Sequence, residues 1–359
     1  VINNGTFDIS GTTSGATINA LTGTGTVALG DRTLTLANAA GTFSGAIGGT
    51  GGLTVAGGTQ TLSVANGYTG ATSISAGTLA LSGAGSIAAS SGVINNGTLD
   101  ISGTTSGATV NALTGTGTVA LGGRTLTLAN AAGTFSGAIG GTGGLTVAGG
   151  TQTLSGVNTY TGATMVHAGT LALSGAGRLA SSTSVTLAGA TAALDLSAVG
   201  NQTVAHLSGV AGSRVVLGGS ALTLSDDSSQ TFGGSLGGTG GLVKQGAGTL
   251  TLNGVSSAFS GTTTVAGGTL AVGDAANAGA VLGGNVLVSS LGTLRGHGTV
   301  SGDVSSSGVV APGGSIGTLS VGGNYTQAAG GTLSIEVSPT EASQLRVSGT
   351  ATLNGSLAV

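Results

Sequence analysis

Apolar and polar residues alternate along this chain in short bursts. Leu53-Thr54-Val55, Thr61-Leu62-Ser63 and Thr78-Leu79-Ala80-Leu81 are typical, and glycine interrupts the pattern every few residues. A period of two over so short a span predicts strands that bury one face only. The bursts recur as a unit at Gly48–Leu81, at Gly140–Leu173 and, in a looser form, at Gly237–Val272. One such unit cannot enclose a core, so its apolar face must be covered by the next copy. The pattern therefore predicts an all-β solenoid, a stack of coils rather than a set of separate globules.

A longer repeat contains the shorter one. Val1–Gly85 returns as Val93–Gly177 at an offset of 92 residues with nine differences, at positions 7, 18, 31, 64, 65, 67, 73, 74 and 75 of the first copy. At roughly 20 to 25 residues per coil, each copy makes about four or five coils. Leu34, Leu36, Leu79 and Leu81, with their partners Leu126, Leu128, Leu171 and Leu173, are expected to point inward and stack in aliphatic ladders. Thr33, Thr35, Thr125, Thr127, Thr249 and Thr251 are expected to face outward, where β-branched threonine suits a strand. The chain divides into copy 1 (1–92), copy 2 (93–184), a degenerate third repeat (185–283) and a terminal module (284–359). Longer strands and both prolines mark the last of these as a cap of the solenoid.

Composition narrows the alternatives. With 76 glycines, two prolines and 5% charged residues, the chain is too apolar for disorder and lacks the periodic glycine and abundant proline of collagen. A net charge of −3 with seven basic residues removes the electrostatic case for nucleic acid. No apolar run approaches the roughly 18 residues of a spanning helix, and eight aromatics are too few for the girdles of a porin-like barrel. The chain is thus not expected to span a membrane itself. Its start at Val1 in mid-pattern, without a leader, reads as that of an excised fragment. The absence of cysteine rules out disulfides and thiolate sites.

Candidate chemistry is sparse. Gly-x-Ser-x-Gly occurs around Ser235 and Ser315, but a nucleophile elbow needs a strand, a sharp turn and a helix, and glycine-rich composition produces such matches by chance. His167, His206 and His297 are far apart, and His167 stands where copy 1 has Ser75. Asp226-Asp227 reads as a solvated turn, and Lys244, the single lysine, as a surface residue. No catalytic, cofactor-binding or metal-ligating residue is assigned, and the chain is read as a non-enzyme without cofactors.

Two stretches resemble a known family. GTGGLVKQGAGTLTL and SGTTTVAGGTLAV, within Gly237–Gly273, resemble the passenger-associated transport repeat of bacterial autotransporters. The two earlier copies share its second half (Tyr160–Leu173 in copy 2) but lack the lysine and run one residue shorter before Leu154. Gly292–Val304, Val309–Val321, Asn324–Val337 and Leu345–Val359 resemble the autochaperone segment that precedes an autotransporter's membrane barrel. The resemblance implies a right-handed parallel β-helix with a C-terminal cap, carried by type V secretion through the periplasm to the surface of a Gram-negative cell, or released from it. It implies the chain's own outer-membrane β-barrel as a partner, and a tail that folds early and templates the other coils. Two roles follow as expectations: a surface scaffold that adheres, through self-association or a host-surface ligand, or a passive stalk presenting an enzyme, a protease or esterase, N-terminal to Val1. Ice binding by Thr-x-Thr rows is disfavoured because the rows are few and irregular.

Overall fold

The computed structural model describes residues 1–180, 183–225 and 227–359. Among them there is no helix, and the strands are two to seven residues long and pair in parallel from coil to coil. The fold is an all-β solenoid, as the alternation predicted, and a parallel β-helix, as the resemblance implied. It divides into two compact units, 1–180 and 181–359.

In the first unit a coil contributes up to three strands, each to a different sheet. One coil runs through Leu34–Leu36, Ala39–Phe43 and Ala46–Gly48 before Leu53–Val55 begins the next directly on top of Leu34–Leu36. Inward residues are stacked by this register: Leu34, Leu53, Thr72, Val93 and Leu113 form one ladder. All five are essentially inaccessible to water. Each fully buried leucine contributes about 1.5–3 kcal/mol relative to exposure. Phe43, Phe135, Tyr68 and Tyr160 also fill this interior, which is why so few aromatics reach the surface.

Thr72 is the polar exception in that ladder. Its hydroxyl meets the buried Tyr68 hydroxyl at 2.7 Å and donates to Ser90 Oγ at 3.0 Å. A hydroxyl at an inward position is tolerable only when bonded, and a tyrosine four residues earlier supplies the partner. Copy 2 repeats the arrangement with Tyr160 and Thr164 at 2.6 Å. Burial raises both phenol pKa values well above the ordinary tyrosine range, against a smaller lowering by the threonine hydroxyls. Coils also approach so closely at the corners that a Cβ on Gly45 would collide with the carbonyl oxygen of Gly25 and the ring of Phe43.

Register sharpens one expectation. Successive coils of the first unit are mostly 19 or 20 residues apart (Leu34 to Leu53, Thr78 to Thr98, Thr98 to Thr118), at the short end of the predicted length. The 92-residue repeat is therefore about four and two-thirds coils, not a whole number. Leu34 and Leu126 are both buried, but Leu34–Leu36 and Leu126–Leu128 belong to different sheets. Ala39–Phe43 and Ala131–Phe135 are separated in the same way, as are Ala46–Gly48 and Ala138–Gly140. The copies share a shape but not a face.

The second unit keeps the parallel stacking with more variable coils. Leu242 pairs with Thr263, 21 residues on, while Tyr325 pairs with Ala351, 26 residues on. Lys244 departs from its expected surface position: it is completely buried, in a ladder with Leu224, Val265 and Val288. Val55 and Val147 hold the corresponding place in copies 1 and 2. The physical reason lies in the following turn, which is one residue longer here. The Lys244 ammonium donates to the carbonyls of Gln245 and Gly246, so the long side chain satisfies polar groups that the shorter turns do not carry.

Candidate functional surface

On its strands the first unit presents rows of hydroxyls to solvent. On one sheet Thr17, Thr35, Thr54 and Ser73 stand one above another on four successive coils. On a second, Thr59, Thr78, Thr98 and Thr118 do the same, with the hydroxyls of Thr98 and Thr118 3.0 Å apart. Copy 2 adds Thr109, Thr127 and Thr146, and the row ends at Met165. Strand spacing fixes the rise between hydroxyls at about 4.8 Å. Among the described residues the only ion pair joins the neighbours Asp31 and Arg32, at 3.1 Å.

The second unit breaks the pattern. Thr231 and Thr251 are followed on later coils by Ala271, Arg295 and Ala311. Another row includes Val243, Thr264 and the exposed Leu287.

The sequence candidates fall as follows. Ser235 lies inside the strand Ser235–Gly237 and Ser315 in a loop between two strands, so neither has the helix that a nucleophile elbow requires. His167 is exposed on the first unit. In the second, His206 is half-buried with Ser228 Oγ 3.4 Å from its Nδ1. Asp227 Oδ1 accepts from the Ala247 amide at 2.7 Å, a turn contact between coils, whereas Asp226 lies outside the described residues. No group of three or more potential metal ligands occurs among the described residues.

One gathering was not expected. A cavity of about 220 Å³ is lined by Asp274, Arg295, His297 and Ser315, with Thr251, Ala271 and glycines 273, 313 and 314. Three successive coils end at this corner: Gly268–Val272 leads to Asp274, Gly292–Gly296 to His297, and Val309–Pro312 to Ser315. Serine, histidine and aspartate stand together here, but Asp274 bonds to other partners. Asp274 Oδ1 accepts from the Asn277 side chain at 2.7 Å and the amides of Asn277 and Ala276 at 2.9 and 3.0 Å. Its Oδ2 accepts from Asn253 at 2.8 Å. These bonds, Asn277's side chain first and then Asn253's, hold the carboxyl below the ordinary aspartate pKa of 3.8 despite some desolvation, and its neighbours' amides add to the lowering. A carboxylate so occupied orients no imidazole.

The hydroxyl rows of the first unit and the parallel β-helix that carries them suggest a scaffold. The passenger-associated-transport-repeat family model matches residues 57–81, 149–173 and 242–272, the three places where the short unit recurs. Three such repeats on a parallel β-solenoid fit an autotransporter passenger domain. They suggest a cell-surface or secreted location and imply an outer-membrane β-barrel as partner. No curated protein and no solved structure matches the chain. Among the described residues no helix is long and apolar enough to cross a membrane.

Proposed function

We propose that this chain is the non-catalytic, adhesive wall of an autotransporter passenger. The observation that supports the reading is the stacking of Thr17, Thr35, Thr54 and Ser73, and of Thr59, Thr78, Thr98 and Thr118, into regular rows on a weakly charged surface. Each hydroxyl contact with another surface contributes only about 0.5–1.5 kcal/mol net, so adhesion here depends on many contacts in register. The passenger itself carries no catalytic, cofactor or metal residue in this reading. Residues 284–359 form a terminal module that folds early and templates the coils before it. Its stacked strands Val286–Val288, Val304–Ser306 and Tyr325–Gln327 offer the edge on which the preceding coils could build. The same chain without adhesion would be a stalk for an enzyme upstream.

The test displays the chain on its own outer-membrane barrel and measures cell clumping and attachment to surfaces against the barrel alone. A Thr35→Lys/Thr54→Lys variant, charged on the outer wall, should display equally and lose most of the clumping. Equal display without clumping or attachment by the unaltered chain sinks the adhesive reading in favour of the stalk.

A further inference from the structure

The corner cavity of the second unit carries a role of its own. We propose that it binds an oxyanion, a carboxylate or sulfate group, borne on a molecule of about the size of one sugar. Arg295 projects outward between Ala271 on the coil before and Ala311 on the coil after, two side chains too small to cover it. Among the described residues its guanidinium has neither an ion pair nor a hydrogen bond. An unpaired fork of five N–H donors is the group best matched to a planar or tetrahedral oxyanion.

Further features belong to residues that line the same cavity. His297 Nδ1 is buried without a hydrogen-bond partner, while the Nε2 edge of the ring packs against Gly317, where a Cβ would strike it. A buried, unpartnered imidazole nitrogen is costly in an apo site and becomes useful when a ligand meets it. The loop after Pro312 has left-handed backbone at Gly313 (φ 86°) and Gly314 (φ 107°). Gly313 N–H bonds back to Gly296 at 2.8 Å, but the next amides, of Gly314 and Ser315, meet no acceptor among the described residues. Runs of free amides in such loops form anion-binding concavities. Arg295, His297, Gly314 and Ser315 thus line one cavity.

Asp274 is the one negative group in the lining, and its oxygens already accept four hydrogen bonds. It does not draw Arg295 into an ion pair. At about 220 Å³ the cavity falls below the roughly 300–1,000 Å³ that hold drug-sized ligands. The hydroxyls of Ser315 and Thr251 and the methyls of Ala271 and Ala275 suit the polar edge and apolar face of a sugar ring. The proposal does not depend on adhesion by the threonine rows, which belong to the first unit.

Calorimetric titration of the purified full chain with sodium glucuronate, glucose and sodium sulfate tests it. Glucuronate should bind saturably and be displaced by sulfate, and glucose should not bind. Arg295→Gln should weaken glucuronate at least tenfold without moving the unfolding midpoint, and Arg295→Lys, which keeps the charge but not the fork, should fall between. Should Arg295→Gln not fold, the His297 ring resonances of the unaltered chain decide the matter: they must shift with glucuronate and not with glucose. Equal response to glucose and glucuronate, sulfate binding without glucuronate binding, or unaltered affinity in a folded Arg295→Gln chain would each overturn the proposal.

Discussion

Replacing Phe259 with tyrosine should stabilise the second unit, although it adds a polar atom to a buried position. The third repeat places Phe259 and Thr263 where the first two place Tyr68 and Thr72, and Tyr160 and Thr164. In those copies the two hydroxyls lie 2.7 and 2.6 Å apart. In the third the phenol is missing, and Thr263 Oγ1 is buried with no partner. An unsatisfied buried hydroxyl costs about 1–3 kcal/mol, and a made hydrogen bond returns about 0.5–1.5 kcal/mol net. Phe259→Tyr should therefore gain about 1 kcal/mol. Thr263→Val, which removes the orphan instead, should gain a similar amount. Together they should not add, because the new phenol would lack its acceptor, and a double-mutant cycle reads that coupling directly. Stacked repeats need not unfold in one step, so the assay is amide hydrogen exchange across residues 255–272 beside urea unfolding. Lower protection in Phe259→Tyr, or no change in Thr263→Val, would refute the reasoning.

Other changes probe the remaining devices. Lys244→Met should destabilise by about 1–3 kcal/mol, because the Gln245 and Gly246 carbonyls lose a charged donor; urea unfolding measures it. Gly45→Ala should cost at least about 2 kcal/mol by forcing adjacent coils apart, whereas Gly5→Ala, where a Cβ meets nothing within 4 Å, should be near neutral in the same thermal melts. Asp274 has a folded pKa below 3.8, so its contribution is full above the unfolded value and disappears as pH falls through the lower folded one. Urea midpoints followed from about pH 5 to about pH 2 should fall less steeply at the acid end in Asp274→Asn.

The strands and the stacking were legible because alternation and repetition each leave a direct mark. Leu53–Val55, Thr78–Gly83 and Thr170–Gly175 are strands where the bursts predicted them, and the chosen leucines are buried. Lys244 was misread because a lone charge suggests solvent, whereas its parity within Leu242-Val243-Lys244 already pointed inward. The extra residue of the following turn was the second clue. The corner cavity was hidden for another reason. Asp274, Arg295 and Ser315 are about one coil apart in sequence, and that spacing carries meaning only once the coil length is known. Neither the Gly-x-Ser-x-Gly motif nor the histidine count pointed to Arg295, which contributes most of the charge.

The fractional repeat bears on what the duplication does for the surface. Within the first unit the sheet holding Thr98–Thr104, Thr118–Ala120 and Ala138–Gly140 is shared by both copies, but it receives different segments from each. Copy 1 contributes Ala39–Phe43 and Gly58–Leu62 to it; their copy 2 counterparts, Ala131–Phe135 and Gly150–Leu154, lie on another sheet. A duplication of a whole number of coils would have lengthened each row on its own face. One of four and two-thirds coils turns the second copy by one face of three. The row Thr17, Thr35, Thr54 and its counterpart Thr109, Thr127, Thr146 consequently look out in different directions. The interior accepts this because every face is filled by the same kinds of side chain, aliphatic ladders with an occasional buried tyrosine or phenylalanine, so a segment that packs on one face packs on the next. If the rows adhere, duplication broadened the range of directions from which the unit can be engaged and did not deepen any single contact. Inserting a segment that completes a fifth coil between the copies would bring the two rows onto one face, and attachment of displayed cells to a flat surface should then strengthen, while clumping in suspension should change little.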